Sequence, residues 1–240
     1  MVNTCLPWTV NSGEWQMQQD LALVESVSSD PDPGIVLRFY GWEEDTLSLG
    51  YHQKLAVYPE IPCVRRPTGG RAVLHQAADR EADLTYSLIF PLQLLPQGIR
   101  SRQDSYIFLS QFLILGLKRL GIPISFGSRQ ERLIQANSCF VCQTPADLIC
   151  QNHKVIGSAQ LWKPKVILQQ GTLLLNPDVQ VWNSVLPGSG DSLRGLFSIL
   201  QQPLSRSTLV NSFHEAAQEA FSGTWQILGE GDISGSQYNT

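Results

Sequence analysis

Arg65-Arg66-Pro67-Thr68-Gly69-Gly70-Arg71-Ala72-Val73-Leu74-His75 is the stretch on which the reading of this chain turns. It begins as a short strand candidate over residues 63–66, breaks at Thr68-Gly69-Gly70 and resumes over 71–75. Paired glycines between two strands let backbone N–H groups come close to a ligand. Arg65, Arg66 and Arg71 place a local positive field in this segment, and a planar guanidinium suits a phosphate or a carboxylate. The same residues also describe a plain glycine-tipped hairpin with solvated arginines, because Gly-Gly is a common turn. No Gly-Lys-Ser/Thr follows, so this is not a Walker A loop.

Around this segment the composition is that of an ordinary globular chain. Its 240 residues are 42% hydrophobic and 16% charged, enough for one sizeable core. A formal net charge of −4 argues against a general nucleic-acid coat, so an anionic ligand must be met by a local basic cluster. No apolar run reaches the roughly 18 residues needed to span a bilayer. Residues 1–11 lack the basic and apolar regions of a signal peptide. Five cysteines, an odd number, fit a reducing compartment better than a disulfide framework. The expectation is a soluble, cytoplasmic protein with no nucleic-acid or membrane partner.

Outward from the arginine segment, short strands alternate with a few helices. Residues 13–27 predict a first helix capped by Ser12, with Met17, Leu21 and Val24 as its apolar stripe. Pro31-Asp32-Pro33-Gly34 forces a turn, and residues 35–40 alternate as a strand. Residues 46–51 predict another short strand. Leu84, Tyr86, Leu88 and Phe90 predict one face of a longer one. Residues 101–120 predict a single helix, opened by a Ser101/Asp104 capping box and closed by Gly121. Strands are expected over 146–150, 154–162 and 165–175, and a last amphipathic helix over 207–221. The pattern is α+β rather than a regular βαβ alternation. It implies a single domain over 1–228, with 229–240 as a polar, glycine-rich, flexible tail.

Two further segments could carry chemistry. In Lys154-Val155-Ile156-Gly157-Ser158-Ala159-Gln160 a lysine opens a strand that becomes small and polar. Gly157, Ser158 and Ala159 could form a wall for a ligand; the plainer reading is an exposed strand-end lysine beside a bulge. Cys139, Cys142, Cys150 and His153 have a spacing that fits zinc. However, Cys150 and His153 bracket a predicted hairpin turn, and no glycine-rich knuckle accompanies the first pair. A nucleophilic cysteine beside a cation, and buried structural cysteines, are the other readings.

Together these segments resemble the biotin/lipoate protein ligase superfamily. The run RRPTGGRAVLH followed by Asp83-Leu84-Thr85-Tyr86-Ser87 is similar to its signature, and KVIGSAQ at 154–160 to its lysine motif. Residues 167–174 and 47–53 are similar to two of its strands. The resemblance implies a mixed, largely antiparallel sheet flanked by helices, with a second smaller sheet. Within the superfamily, Arg71 in place of a third glycine, the Ser138-Cys139-Phe140 segment and the absence of an accessory domain favour the octanoyltransferase branch. Gln76, the insertion 77–82 and Gln170 depart from the pattern.

What the branch implies is an octanoyl group taken from acyl carrier protein onto Cys139. From there it passes to a lysine of a lipoyl domain of a 2-oxoacid dehydrogenase, or of the glycine-cleavage H protein. Lys154 would assist Cys139. Arg65, Arg66, Gly69, Gly70, Arg71, His75, Gly157, Ser158 and Ala159 would bind substrate, and no metal or cofactor would be needed. The alternatives are a lipoate–protein ligase using ATP and Mg2+ through a lipoyl-adenylate, and a non-catalytic module that binds acyl or lipoyl carrier proteins. Biotin ligation fits Arg71 and the cysteine segment poorly. Among the other cysteines, Cys142 is the competing nucleophile. Cys5 is expected in a flexible N-terminus, and Cys63 and Cys150 in packing roles.

Overall fold

The computed structural model describes residues 1–55, 59–99, 101–128, 138–141 and 143–229. In chain order the strands are β1 (Val2–Cys5), β2 (Thr9–Asn11), β3 (Val36–Trp42), β4 (Thr46–Leu49), β5 (Cys63–Arg65), β6 (Val73–His75), β7 (Asp83–Pro91), β8 (Ser125–Phe126), β9 (Leu148–Cys150), β10 (His153–Trp162), β11 (Val166–Leu174) and β12 (Thr224–Ile227). The helices are α1 (Gly13–Ser29), α2 (Arg102–Leu109), α3 (Gln111–Arg119), α4 (Val179–Val185), α5 (Leu196–Leu200) and α6 (Arg206–Ala220).

β7 shows why the large sheet forms. Leu84, Tyr86, Leu88 and Phe90 point to one face, as the period of two requires, and join the main core with Phe112, Leu117 and Phe213. The opposite face is buried too, because α1 packs against β7 and β11. The sheet runs β12-β1-β3-β7-β11-β10-β9-β8, with β2 on β3. It is parallel where β12, β1 and β3 meet and antiparallel from β3 to β8. A second sheet, β5-β4-β6, carries the arginine segment. This is the mixed, largely antiparallel α+β architecture with a smaller second sheet.

Several elements differ from expectation. Helix α1 is capped by Ser12 as read, but Leu21 is exposed while Gln16 and Asp20 are buried. The cause lies on β3. Arg38 is buried and pairs with Asp20 at 3.0 Å and with Gln16. Burying a guanidinium is tolerable only with such a partner, so polar residues displace apolar ones on the inner helix face. The helix expected over 101–120 is two helices joined at Ser110. Ser110 is fully buried and its hydroxyl accepts from Gln169 of β11, a contact that local periodicity does not reveal. The capping box of Ser101 and Asp104 is present, and Gly121 closes the second helix at φ +73°. Cys5 is not in a loose terminus. It is buried in β1, and burial pushes its thiol up to about 12. Cys63 is exposed rather than packed, whereas Cys150 is buried as expected. Of the expected tail, residues 230–240 lie outside the described residues, as does Cys142.

Candidate active site

β9 and β10 form a hairpin whose turn, Gln151-Asn152, has both residues at positive φ, the geometry of a tight two-residue connection. Just past it the register shifts between Lys154 and Ile156. Such a bulge re-aims a side chain, and here it coincides with an inward-pointing lysine: only 6% of the Lys154 side chain is exposed. The exposed strand-end reading of Lys154 therefore fails, although the bulge it invoked is real.

Lys154 Nζ donates to the Cys139 carbonyl oxygen at 2.8 Å and lies 3.6 Å from the Cys139 sulfur. It also pairs with Asp147 Oδ1 at 2.9 Å and sits 5.3 Å from the centre of the Phe140 ring. Burial pulls the Lys154 ammonium down, but Cys139 and Asp147 together outweigh it and hold the lysine above its ordinary value. Cys139 opens a short 3₁₀ turn that is pinned to the small sheet. Its N–H donates to the Ala72 carbonyl at 2.9 Å, beside a bridge between Ala72 and Ser138. The cysteine and the lysine are thus presented by two different sheets.

Gly157 makes room for the pair. A Cβ there would stand 3.1 Å from Lys154 Cε and 3.3 Å from the Cys139 sulfur, tighter than ordinary contact. Gly157, Ser158 and Ala159 do form a wall, in a cleft also lined by Met17, Trp42, Arg66, His75 and Cys139. Its free space, about 30 Å³, holds a water or two. Ser158 shares a hydrogen bond with Tyr86 at 2.8 Å, and Tyr86 accepts from Gln169. His75 is buried and stacked on Trp42, with Nδ1 3.4 Å from Asp83 Oδ2. The insertion 77–82 makes a 3₁₀ turn that returns the chain so that Asp83 faces His75. Gln170, a departure from the family pattern, donates to Asp20 at 2.6 Å and accepts from Thr68 at 2.7 Å, tying α1 to the glycine loop.

The three arginines separate. Arg66 is buried and donates to the carbonyls of Ser48, Gly69 and Arg71 and to the Ser48 hydroxyl. Its Nε, Nη1 and Nη2 are all engaged in these bonds, so it braces the loop rather than meeting a ligand. The brace needs Gly70, at φ +90°, where a Cβ would fall 2.9 Å from Arg66 Nη2. Arg65 anchors Nη1 on the carbonyls of Gly50, Tyr51 and Gln53 and lines a separate groove of about 540 Å³. Gly69, Arg102, Trp162 and Lys163 also line that groove, and among the described residues no carboxylate does. Arg71 lines neither space; its carbonyl accepts from Arg66. We expect Arg66→Lys, which keeps the charge but cannot reach all these acceptors, to cost at least about 2 kcal/mol in denaturant unfolding.

Asp147 is the functional candidate that the sequence reading missed. Residues 146–150 were legible only as a strand, and nothing local marks a buried acid there. Among the described residues no group of three or more His, Cys, Asp or Glu side chains could hold a metal ion. No described helix is long and apolar enough to cross a membrane.

The chain superposes on lipoate-protein ligase A bound with ATP with a TM-score of 0.74, over 97% of this chain and 91% of that one, at 18% identity. The description Lipoyl protein ligase A/B catalytic domain matches residues 12–222. The chain belongs to that family. Among curated relatives, Octanoyltransferase LipM of Carboxydothermus hydrogenoformans is 38% identical over 177 residues, 70% of this chain and 63% of that protein. Octanoyltransferase LipM of Kyrpidia tusciae is 34% identical over 202 residues, 77% of this chain and 72% of that protein. The match thus spans less than two thirds of the Carboxydothermus protein's length.

Proposed function

We propose that the protein is an octanoyltransferase of protein lipoylation. In this reading it takes an octanoyl group from acyl carrier protein and delivers it to a lysine of a lipoyl domain or of the glycine-cleavage H protein. The observation that carries the reading is the Cys139 sulfur 3.6 Å from the buried Lys154 ammonium, beside the small-residue wall of β10. The names of the relatives support it.

In the first half-reaction the Cys139 thiolate attacks the thioester carbonyl. The new C–S bond forms, the tetrahedral oxyanion collapses, and the donor's thiolate leaves and takes a proton from solvent. In the second half-reaction the neutral acceptor amine attacks the acyl-cysteine. It loses a proton to solvent, and Cys139 leaves as thiolate. Lys154 stabilises the negative charge on sulfur and on each oxyanion. The cleft as it stands is too narrow for an octanoyl chain, so entry requires wall side chains to move. Met17, unbranched and flexible, is the easiest to displace. No cofactor or metal takes part.

The groove, lined by Arg65, Arg66, Arg102 and Lys163, fits the phosphate of the donor's prosthetic arm. It shares Arg66 with the cysteine cleft, and β10 runs from one to the other. We expect the double substitution Arg102→Glu with Lys163→Glu to raise KM for the carrier-bound donor up to about tenfold, and to weaken its salt dependence. Turnover at saturating donor should change little, because exposed rim charges act mainly on encounter. Steady-state kinetics at two ionic strengths check this.

The decisive experiment incubates the protein with a lipoyl domain and either octanoyl-carrier protein, or octanoate or lipoate with ATP and Mg2+. The lipoyl domain is then weighed by mass spectrometry. Modification with the thioester donor alone is expected. Modification only with free acid and ATP would replace this reading by a lipoate–protein ligase. No modification under either condition would leave a carrier-binding module.

A further inference from the structure

The carboxylate of Asp147 has no part in the chemistry set out above, yet it is among the most firmly held groups in the molecule. Its side chain is 4% exposed. Oδ2 accepts from the Thr144 N–H at 2.7 Å and from the Thr144 hydroxyl at 2.9 Å, and Oδ1 faces Lys154 Nζ at 2.9 Å. The backbone is held as well. Asp147 N–H donates to the Thr144 carbonyl, and its own carbonyl accepts from Gly127. Both carboxylate oxygens are therefore committed, and one of them points at the lysine.

We infer that Asp147 is a positioning residue of the same site, which holds Lys154 over Cys139 as a fixed cation. Lys154 is then in place to stabilise the charge that develops during transfer. The inference rests on the transferase reading and adds to it the group that sets the lysine's place and charge state.

The ammonium contacts Asp147 Oδ1, the Cys139 carbonyl, the Cys139 sulfur and the Phe140 ring. Asp147 brings a full opposite charge that Thr144 fixes in place, and so holds this flexible side chain against drift. A buried ammonium with no carboxylate beside it would also be poorly compensated. Asp147 balances the charge in the resting state and leaves the cation available when negative charge develops on sulfur. Among the described residues, Tyr106 and Arg66 also lie near the pair, and neither competes for this role. Tyr106 interacts with Asp147 and Cys139, and burial pushes its phenol up to about 12, which keeps it neutral. Arg66 lies near Cys139, but its donors are engaged in the glycine loop. The lysine is held above its ordinary value by Cys139 and Asp147 against its burial.

The test uses the full chain with 13C-labelled lysine. The Lys154 Cε resonance is assigned by its disappearance in Lys154→Met and titrated with pH. In the wild type it should titrate above the remaining lysines. Asp147→Asn should bring that titration down by about one pH unit or more, and slow octanoyl transfer about 10²-fold through misplacement of the cation. Asp147→Glu should restore much of the titration but only part of the rate, which separates charge from position. A folded Asp147→Asn protein with wild-type transfer rate overturns the inference. So does one that loses rate while the Lys154 titration stays where it was. Should Asp147→Asn fail to fold, Thr144→Val carries the same test with a smaller expected effect, several-fold in rate. Wild-type rate and titration in that variant likewise overturn the inference. The titration needs no acyl donor, so a wild-type protein inactive toward octanoyl-carrier protein would defeat the transferase reading instead.

Discussion

Cys139→Ala should abolish the acyl-enzyme and reduce transfer by at least about 10³-fold, with little change in thermal stability. Incubating the wild type with octanoyl-carrier protein and no acceptor should leave one octanoyl group per chain. It should be labile to hydroxylamine and map to the peptide containing Cys139. The remaining described cysteines are poor rivals. Cys5 and Cys150 are buried, and burial raises both thiols. Cys63 is exposed, donates to the Ile61 carbonyl, and is also raised. Cys142 lies outside the described residues, and Cys142→Ala should keep the adduct. An acyl group mapped to Cys142, or full activity in Cys139→Ala, would overturn the assignment.

Lys154→Ala should show a double loss. Removing a preorganised cation from a developing oxyanion costs on the order of 10²–10³ in rate. The sequence alone gives reason to expect an intact fold, but the structure changes that expectation. Truncation strands the buried Asp147 carboxylate, and breaking such a pair costs about 3–5 kcal/mol. The combination Lys154→Met with Asp147→Asn removes both charges and fills the space. It should regain most of the stability in a denaturant melt and none of the rate. Recovery of activity in that double variant would show that the ion pair matters only for folding. Near-normal turnover in a folded Lys154→Ala would remove the lysine from the mechanism.

How much of this was legible in advance follows from the range of each interaction. The large strands, the capping box and the glycine stop at 121 are dictated within a few residues, and they lie where periodicity and cap chemistry put them. The order of the motifs pointed to the sheet that joins them. Contacts made across the fold were not visible. Asp20 meets Arg38 and Gln170, far away in sequence, so the inner face of α1 looked wrong as an apolar stripe. Ser110 interrupts a helix because of a partner on β11. Arg66 reads as a ligand-binding arginine until its acceptors are counted. Asp147 sits in a segment whose pattern announces only a strand, and its partner lies across the β9–β10 hairpin.

The edge of the large sheet has a consequence for how the chain is made. β1 pairs on one side with β3 and on the other with β12, Val2 lying opposite Thr224. The inner partner is synthesised well before the outer one. A nascent chain therefore carries β1 with an open hydrogen-bonding edge until residues 224–227 have left the ribosome. Open edges of this kind invite pairing between chains, and closure over so long a loop is slow. Synthesis that stalls just before residue 224 should give a chain that holds the cysteine, the lysine and the aspartate yet self-associates for want of β12.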